Sequence, residues 1–106
     1  MGNLKKKDGK LYREDLPAEI HYYKNGLPKI ENWYEGGNFY REEDLPAAIE
    51  YYDNGQLKIE KWYQNGILHR EGDLPSEIYY YENGQPNVKF WFKYGQYYRK
   101  EHFNHM

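Results

Sequence analysis

The side chains best suited to chemistry in this chain are its aspartates and histidines, and neither set has the spacing of a catalytic or metal site. Three aspartates each begin the tripeptide Asp-Leu-Pro, while the four histidines follow no period: Asp15, Asp44 and Asp73; His21, His69, His102 and His105. An aspartate before Leu-Pro is typical of a turn, where its carboxylate accepts a backbone N–H. A catalytic pair needs two carboxylates in one pocket with separated pKa values, and nothing distinguishes one aspartate from the others. His102 and His105 would lie on opposite faces of a strand, so we predict no metal site.

The usual nucleophiles and phosphate-binding motifs are also missing from the sequence. It has no cysteine, its only serine is Ser76, and it has no glycine-rich phosphate loop. An enzyme usually needs one asymmetric site, whereas this chain is nearly periodic. We therefore predict no catalytic residues, no cofactor and no enzymatic activity.

Aromatic residues are the best candidates for a binding surface. The candidate set is Trp33, Trp62, Trp91, Tyr23, Tyr52 and Tyr81. Trp and Tyr are favoured at the energetic centres of protein interfaces, so we expect a stripe that binds a partner, with Trp62→Ala costing less stability than Ile59→Ala. The alternative is that the curled sheet or a partner subunit covers these rings as core. Glu50, Glu60 and Glu77 interrupt the stripe, and stacking surfaces for single-stranded nucleic acid need a basic groove, so nucleic acid is an unlikely partner.

A 29-residue period positions all of these residues. It relates the three Asp-Leu-Pro tripeptides, the Asn-Gly pairs ending at Gly26, Gly55 and Gly84, the three tryptophans, and Arg41, Arg70 and Arg99. A fixed period of this length indicates a repeat array. We predict one domain, 1–106, with a capping strand at 8–14, repeats at 15–43, 44–72 and 73–101, and a tail at 102–106. The polar start, Met1 to Lys7, is expected to fray.

Turn chemistry predicts that each repeat consists of β-hairpins. Asn-Gly recurs between runs rich in Tyr and Ile, which favour strands over helix. A three-residue loop at Asp53–Gly55 pairs apolar with apolar residues and opposite charges with each other. The predicted pairs are Tyr51–Leu57, Glu50–Lys58 and Ile49–Ile59, with Ile20–Ile30 and Ile78–Val88 in the other copies. A three-residue loop at Gln64–Gly66 likewise gives Glu60–Arg70 and Trp62–Leu68, and in the other copies Glu31–Arg41, Trp33–Phe39 and Lys89–Arg99.

These pairs predict an all-β fold: an antiparallel meander of hairpins in one twisted or curled sheet with two different faces. One face carries Ile49, Tyr51, Leu57, Ile59, Tyr63 and Ile67 as core; the other carries Tyr52, Trp62 and Leu68 among Glu50, Lys58, Glu60 and Arg70. Proline breaks strand pairing, so we interpret Asp-Leu-Pro as a U-turn that gives about three strands per repeat; the alternative is a kink within two longer strands.

Composition limits the partners and the compartment. The net charge is −2, so no strong field attracts nucleic acid or an anionic membrane. Mean hydropathy of −1.23 alone would suggest disorder, but aromatic residues form 20% of the chain, and disordered chains are poor in them. The lack of cysteine, of an apolar run near 18 residues and of a signal-peptide core leads us to expect a soluble, cytoplasmic protein.

The motifs also resemble a known family. Glu-Tyr-Tyr-Asp-Asn-Gly at 50–55 and Lys-Trp-Tyr-Gln-Asn-Gly-Ile-Leu-His-Arg-Glu at 61–71 resemble the MORN-repeat variant family, and the likeness extends over residues 9–101. That family consists of Tyr-x-Asn-Gly β-hairpin repeats, and some bacterial members are described as antitoxins of toxin–antitoxin systems. The resemblance implies an elongated sheet of hairpins that binds protein or membrane.

Together these observations predict a non-catalytic protein–protein interaction module, in a narrower form an antitoxin or inhibitor that covers a partner protein of unknown identity. The alternative is a membrane-peripheral scaffold of the MORN type, which the near-neutral charge disfavours. Open sheet edges would also allow a homo-oligomer.

Overall fold

Strands account for the regular structure of the chain. The computed structural model describes residues 4–7, 10–13 and 17–104, and within these ranges it contains strands and turns but no helix. The strands are β1 (Leu4–Lys7), β2 (Lys10–Arg13), β3 (Glu19–Tyr22), β4 (Pro28–Asn32), β5 (Tyr34–Glu35), β6 (Asn38–Phe39), β7 (Ala48–Tyr51), β8 (Leu57–Lys61), β9 (Tyr63–Gln64), β10 (Ile67–Leu68), β11 (Glu77–Tyr80), β12 (Pro86–Lys93) and β13 (Gln96–His102). The predicted all-β class is confirmed.

Seven of these strands form one antiparallel meander in the order β3-β4-β7-β8-β11-β12-β13. The pairs β1–β2, β5–β6 and β9–β10 are separate two-stranded sheets. The molecule measures 45 × 37 × 17 Å along its principal axes, so its shortest dimension is that of a thin slab. The prediction of antiparallel hairpins is confirmed.

The N-terminal segment is more ordered than its composition suggested. Leu4–Lys7 is a strand paired with Lys10–Arg13, although we expected Met1 to Lys7 to fray; residues 1–3 lie outside the described residues. A lone capping strand would leave its backbone groups unpaired, and residues 4–7 supply the partner strand. The predicted cap is described only over Lys10–Arg13, and Asp15 and His105 lie outside the described residues.

The Asn-Gly turn of the central hairpin has the predicted three-residue loop. The Tyr52 N–H donates to the Gln56 carbonyl at 2.8 Å, and the Gly55 N–H donates to the Tyr52 carbonyl at 3.0 Å. Gly55 has a φ of 90°, a left-handed backbone that residues with a Cβ adopt at a cost. Tyr51 lies opposite Leu57, as predicted.

One step further along the strand, a β-bulge changes the register. After the shift between Glu50 and Tyr51, Glu50 lies opposite Ile59 and Ile49 lies opposite Glu60. The predicted pairs Glu50–Lys58 and Ile49–Ile59 are therefore wrong, because the bulge inserts Lys58 as an extra residue. The other copies shift in the same way, so the Ile20–Ile30 and Ile78–Val88 pairs are wrong too.

The second turn is shorter than predicted. Gln64 pairs with Ile67 and Tyr63 with Leu68, and Asn65 and Gly66 have φ values of 54° and 79°, which is a two-residue type I′ turn. The predicted pair Trp62–Leu68 is wrong. A two-residue loop would set like charges opposite each other further down the ladder, Lys61 against Arg70 and Glu60 against Glu71, which is why the charges favour the longer loop. That ladder does not form, because strand β10 ends at Leu68.

The same correction holds for the matching pairs in the other copies. Phe39 pairs with Tyr34 instead of Trp33, and Arg99 pairs with Trp91 instead of Lys89, which lies opposite Glu101. In the first two copies the arginines follow the end of a strand, so Glu31–Arg41 and Glu60–Arg70 are not ladder pairs.

Asp-Leu-Pro interrupts a strand and does not reverse the chain. β6 is antiparallel to β5, and β7 is antiparallel to β4, so β6 and β7 run in the same direction. Trp33 spans the interruption: its N–H donates to the Ala47 carbonyl at 2.8 Å, and its carbonyl accepts the Tyr40 N–H at 3.2 Å. Residues 41–46 therefore protrude from an otherwise continuous line. The kinked-strand alternative is correct and the U-turn is wrong.

The bulges also redistribute the two faces of the sheet. We call the side that carries the three tryptophans the tryptophan face; its register places Ile49, Tyr51, Leu57, Glu60, Ile78 and Tyr80 there. The opposite side, the open face, carries Ile30, Glu50, Ile59, Lys61, Tyr79, Val88 and Phe90. The predicted grouping of Ile49 with Ile59 is wrong, because a one-residue shift moves every later side chain to the other face. The buried apolar residues are Trp33, Ala47, Ile49, Trp62, Ile78 and Trp91.

No helix within the described ranges is long and apolar enough to cross a membrane.

Candidate functional site

The three candidate tryptophans are core residues. Trp33, Trp62 and Trp91 are 8%, 6% and 4% exposed. A guanidinium lies over each indole, with its central carbon 3.6, 3.9 and 4.2 Å from the ring centroid for Arg41, Arg70 and Arg99. A stacked guanidinium stabilises an aromatic ring electrostatically and excludes water from it. The tryptophans do not form the exposed stripe that we expected.

The Asp-Leu-Pro loop completes the cover of Trp62. The Arg70 guanidinium donates to both carboxylate oxygens of Asp44, at 2.9 and 3.2 Å, and to the Pro75 carbonyl at 3.0 Å. The indole N–H donates to the Asp44 backbone carbonyl at 3.0 Å. The carboxylate therefore binds the arginine, where we had expected it to accept a backbone N–H. We call the set Asp44, Trp62, Arg70 and Pro75 the arginine clasp.

The equivalent contacts in the neighbouring copies differ in closeness. Arg41 donates to the Pro46 carbonyl at 3.2 Å, and burial lowers the pKa of this guanidinium from its ordinary value. In the last copy, Arg99 lies 3.6 Å from Asp73 and bonds to Glu101 at 2.9 Å. Because no Asp-Leu-Pro loop follows, Arg99 has no proline carbonyl to bind, and its side chain is 45% exposed, compared with 14% for Arg70.

Phenol–carboxylate pairs connect successive copies on the tryptophan face. The Tyr51 hydroxyl donates to Glu31 at 2.6 Å, and the Tyr80 hydroxyl donates to Glu60 in the same way. Burial, followed by the hydrogen bond to glutamate, raises the pKa of both tyrosines. Each glutamate is thus held by a phenol that stays protonated, an arrangement that suits structure better than acid–base chemistry.

The candidate tyrosines form a second row that also joins successive hairpins. The hydroxyls of Tyr23, Tyr52 and Tyr81 donate to the backbone carbonyls of Tyr51, Tyr80 and Phe103 at 2.7, 2.7 and 3.0 Å. The Asn25 and Asn54 side-chain amides donate across the same gaps to Asp53 and Glu82. These side chains hold neighbouring turns together.

The two predicted sets do not meet in one stripe. Tyr52 follows β7 at the Asn-Gly turn, whereas Trp62 follows β8 at its far end. The intervening strand separates the two rows by roughly 15–20 Å at the rise of an extended chain. The aromatic face that we predicted from Trp33, Trp62, Trp91, Tyr23, Tyr52 and Tyr81 is therefore two separate rows.

Exposed aromatic residues are concentrated at a site that sequence reasoning missed. They lie within or beside the turn that joins β12 to β13, and we call the set Ile67, Tyr94, Tyr97 and Tyr98 the C-terminal patch. Their exposed fractions are 48%, 71%, 55% and 47%. The sequence does hold a signal for this patch, because Tyr94 stands where the 29-residue period places Asn65 and Gly36.

Tyr94 has an unfavourable backbone conformation. It has a φ of 49°, in the left-handed region that Asn and Gly tolerate and that bulky residues seldom adopt. Its N–H donates to Nδ1 of the buried His69 at 3.0 Å, and the two rings stack 4.2 Å apart. Since Nδ1 accepts this bond, the proton of the neutral ring is on Nε2, which faces Glu71 at 3.1 Å. His69 thus fixes a turn that displays the Tyr94 ring.

The open face carries a shallow groove beside a row of rings. Phe39 lies between Tyr34 and Tyr63, with centroid distances of 4.9 and 4.7 Å. The adjoining cavity, of about 240 Å³, is lined by Ile30, Ile59 and neighbours of both signs of charge. Among the described residues, no group of three or more His, Asp and Glu side chains could hold a metal ion.

Comparisons with protein-family models, with curated proteins and with solved structures give no match for this chain.

Proposed function

We propose that this chain is a non-catalytic protein-interaction module, built as an array of three 29-residue β-hairpin units similar to MORN-repeat variants. Three observations support the array. The hydroxyls of Tyr23 and Tyr52 reach carbonyls 28 residues further along, a guanidinium covers each of the three tryptophans, and β13 runs on as one long strand where no further Asp-Leu-Pro follows. Strand twist would curl a sheet of such units.

The observation that carries the proposal is Tyr94. Its left-handed backbone destabilises the fold by about 1–2 kcal/mol relative to glycine, while most of its ring faces solvent. Strained positions of this kind concentrate at binding and switch sites. Ile67, Tyr97 and Tyr98 are also exposed near this turn, and exposed tyrosines are favoured at the centres of protein interfaces.

Three carboxylates that could act in catalysis already accept hydrogen bonds from other side chains, which favours binding over catalysis. The carboxylate of Asp44 is bonded to Arg70, and Glu31 and Glu60 accept tyrosine hydroxyls. A general acid or base needs a free approach to substrate. In the narrower form of the proposal, the module is an inhibitor or antitoxin whose C-terminal patch covers a partner protein.

A membrane-peripheral scaffold is the second candidate. Lys93, Arg99 and Lys100 lie close in sequence to the exposed tyrosines, and tyrosine with basic residues is also the composition of an interfacial membrane anchor. The interspersed acidic residues favour the protein partner.

Tyr94→Asn tests the proposal, because asparagine occupies the same turn position at Asn65 and relieves the strain. We expect the variant to melt no lower than the wild type and to lose roughly 2 kcal/mol or more of affinity for a protein captured from the native cell. Tyr22→Asn is the matched control, since Tyr22 is 60% exposed on the opposite edge strand, and it should bind normally.

Equal affinity of Tyr94→Asn and the wild type would overturn the proposal. Co-sedimentation with anionic vesicles that Tyr94→Asn abolishes, without any captured protein, would instead establish the membrane scaffold.

A further inference from the structure

Strand β13 leaves one long edge of the main sheet open. It is seven residues long, from Gln96 to His102, and pairs only with β12. Residues 96–100 are all exposed. The opposite edge strand, β3, has four residues. Long exposed edges are ready templates for another strand, so β13 is the edge most able to pair.

The hydrogen-bonding groups that face outward on β13 can be identified from its inner pairing. The Phe103 N–H donates to the Asn87 carbonyl at 2.7 Å, and Lys89 lies opposite Glu101. Because backbone groups alternate in direction along an antiparallel strand, residues 99, 101 and 103 bond inward. The N–H and C=O groups of Lys100 and His102 point away from the sheet, and no strand in the described part of the chain covers them.

The side chains along this edge are self-complementary. A two-fold axis at Lys100 places Arg99 of one copy opposite Glu101 of the other, twice, and Tyr98 opposite His102. Residues whose backbone groups face outward can bond only with outward-facing residues of the other copy. The nearest alternative registers therefore have their two-fold axis at Arg99 or at Glu101. Those registers set arginine against arginine or glutamate against glutamate, and directly opposed like charges destabilise a strand pair.

Lys100 itself does not prevent this register. Its ammonium lies 5.8 Å from the centroid of Phe90 on its own sheet, so the two lysine heads are directed away from the axis. Joining β13 to β3 of another copy is less favourable, because the first and seventh strands of an antiparallel meander run in the same direction. That contact would be parallel, and it would build an open-ended fibre instead of a closed pair.

We propose that this chain forms a two-fold dimer in which β13 pairs antiparallel with β13 of a second copy, centred on Lys100. The inference goes beyond the proposed function, since it concerns the backbone edge of β13; it uses Tyr98 of the C-terminal patch and leaves the Tyr94 ring free. A bulge precedes Arg99, so the pairing spans residues 98–102. Such a short interface belongs to the weak, concentration-dependent class.

A comparison of Lys100→Pro with Lys100→Ala separates the contribution of the Lys100 backbone hydrogen bond from that of its side chain. Both remove the charge and the contact with Phe90, but only proline removes the N–H that would donate across the two-fold axis to the other copy. Proline is tolerated where an edge N–H faces outward, so both variants should fold as judged by circular dichroism and melting temperature.

In sedimentation velocity over a dilution series, the wild type and Lys100→Ala should dimerise, and Lys100→Pro should dimerise about tenfold more weakly or worse, since each copy loses one hydrogen bond. If Lys100→Pro does not fold, Glu101→Arg is used instead. This change sets an arginine opposite Arg99 of the other copy, and the like charges should abolish the dimer. A wild type that stays monomeric at every concentration, or variants that all dimerise equally, would overturn the proposal.

Discussion

Trp62→Ala tests whether the tryptophans are the core of this protein. The indole is 6% exposed, lies beneath the Arg70 guanidinium at 3.9 Å, and donates its N–H to Asp44 at 3.0 Å. Truncating a buried Trp to Ala costs about 3–5 kcal/mol. Ile59 is half-buried on the open face, so Ile59→Ala should fall near or below the lower end of the 2–5 kcal/mol range for buried aliphatic truncations. Trp62→Ala should therefore be the more damaging change.

Urea unfolding followed by far-UV circular dichroism measures both variants on one scale. The midpoints should fall in the order wild type, Ile59→Ala, Trp62→Ala, with slopes unchanged if unfolding stays two-state. Trp62→Phe is the matched control, because it keeps an aromatic ring under Arg70 while removing the indole N–H and part of the bicyclic ring. It should cost less than Trp62→Ala, since most of the buried aromatic surface remains.

A smaller loss for Trp62→Ala than for Ile59→Ala would refute this reasoning. That result was the expectation from sequence, which assumed an exposed tryptophan, and burial of the indole reverses it. It would mean that the arginine clasp contributes little and that the open face supplies the main apolar stabilisation.

Other contacts lead to equally direct tests. Above about pH 10 stability should fall, because folding raises the pKa of Tyr51 and the native state keeps a proton that the unfolded chain releases. Tyr51→Phe should lessen this fall in melting temperature without abolishing it, because the pKa of Tyr80 is raised in the same way; a wild type already insensitive there would contradict the idea. Glu43→Gly should add about 0.5–1 kcal/mol to the unfolding free energy, since Glu43 has a φ of 63° and Gly72 holds the equivalent place. Glu42→Gly, the control, should lower the unfolding free energy. Asp44→Ala should cost about 1 kcal/mol in urea unfolding and more than Asp73→Ala, because Asp73 lies 3.6 Å from its arginine while Asp44 makes two close bonds; equal losses would show that the guanidinium does not depend on its carboxylate.

The sequence predicted the strands and the first turn well because both depend on local chemistry. Asn54-Gly55 specifies its loop through the left-handed glycine, and alternating Tyr and Ile residues favour strands wherever they occur. The face of each residue depends instead on one inserted residue in each hairpin. Nothing in the sequence identifies Lys58 as the extra residue of a bulge. Pairing Lys58 with Glu50 sets opposite charges against each other, so the charges favoured the register without a bulge. The shifted register puts Glu60 on the face of the neighbouring strand that carries Tyr80, whose hydroxyl donates to Glu60.

The arginine clasp could not be predicted from the sequence for a related reason. Asp44 and Arg70 are 26 residues apart in sequence, and their contact depends on a loop that we expected to reverse the chain. Once Asp-Leu-Pro protrudes from the strand line, its carboxylate and carbonyl reach the tryptophan face and cover Trp62. The aromatic, charged composition that suggested an interface is therefore the composition of this core, since guanidinium and indole pack face to face.

A residue that recurs in every unit is one that the fold needs in every unit. Binding residues should therefore be sought among the residues that break the period. Trp33, Trp62 and Trp91 recur, and all three are buried. Tyr94 breaks the period, adopts a backbone conformation that suits Asn or Gly, and exposes its ring. The left-handed turn does not require tyrosine at that position, because Asn65 makes the same turn one unit earlier with a φ of 54°. In a periodic chain, departures from the period are therefore better indicators of function than the period itself, and here they direct attention to the end of the sheet where β12 turns into β13.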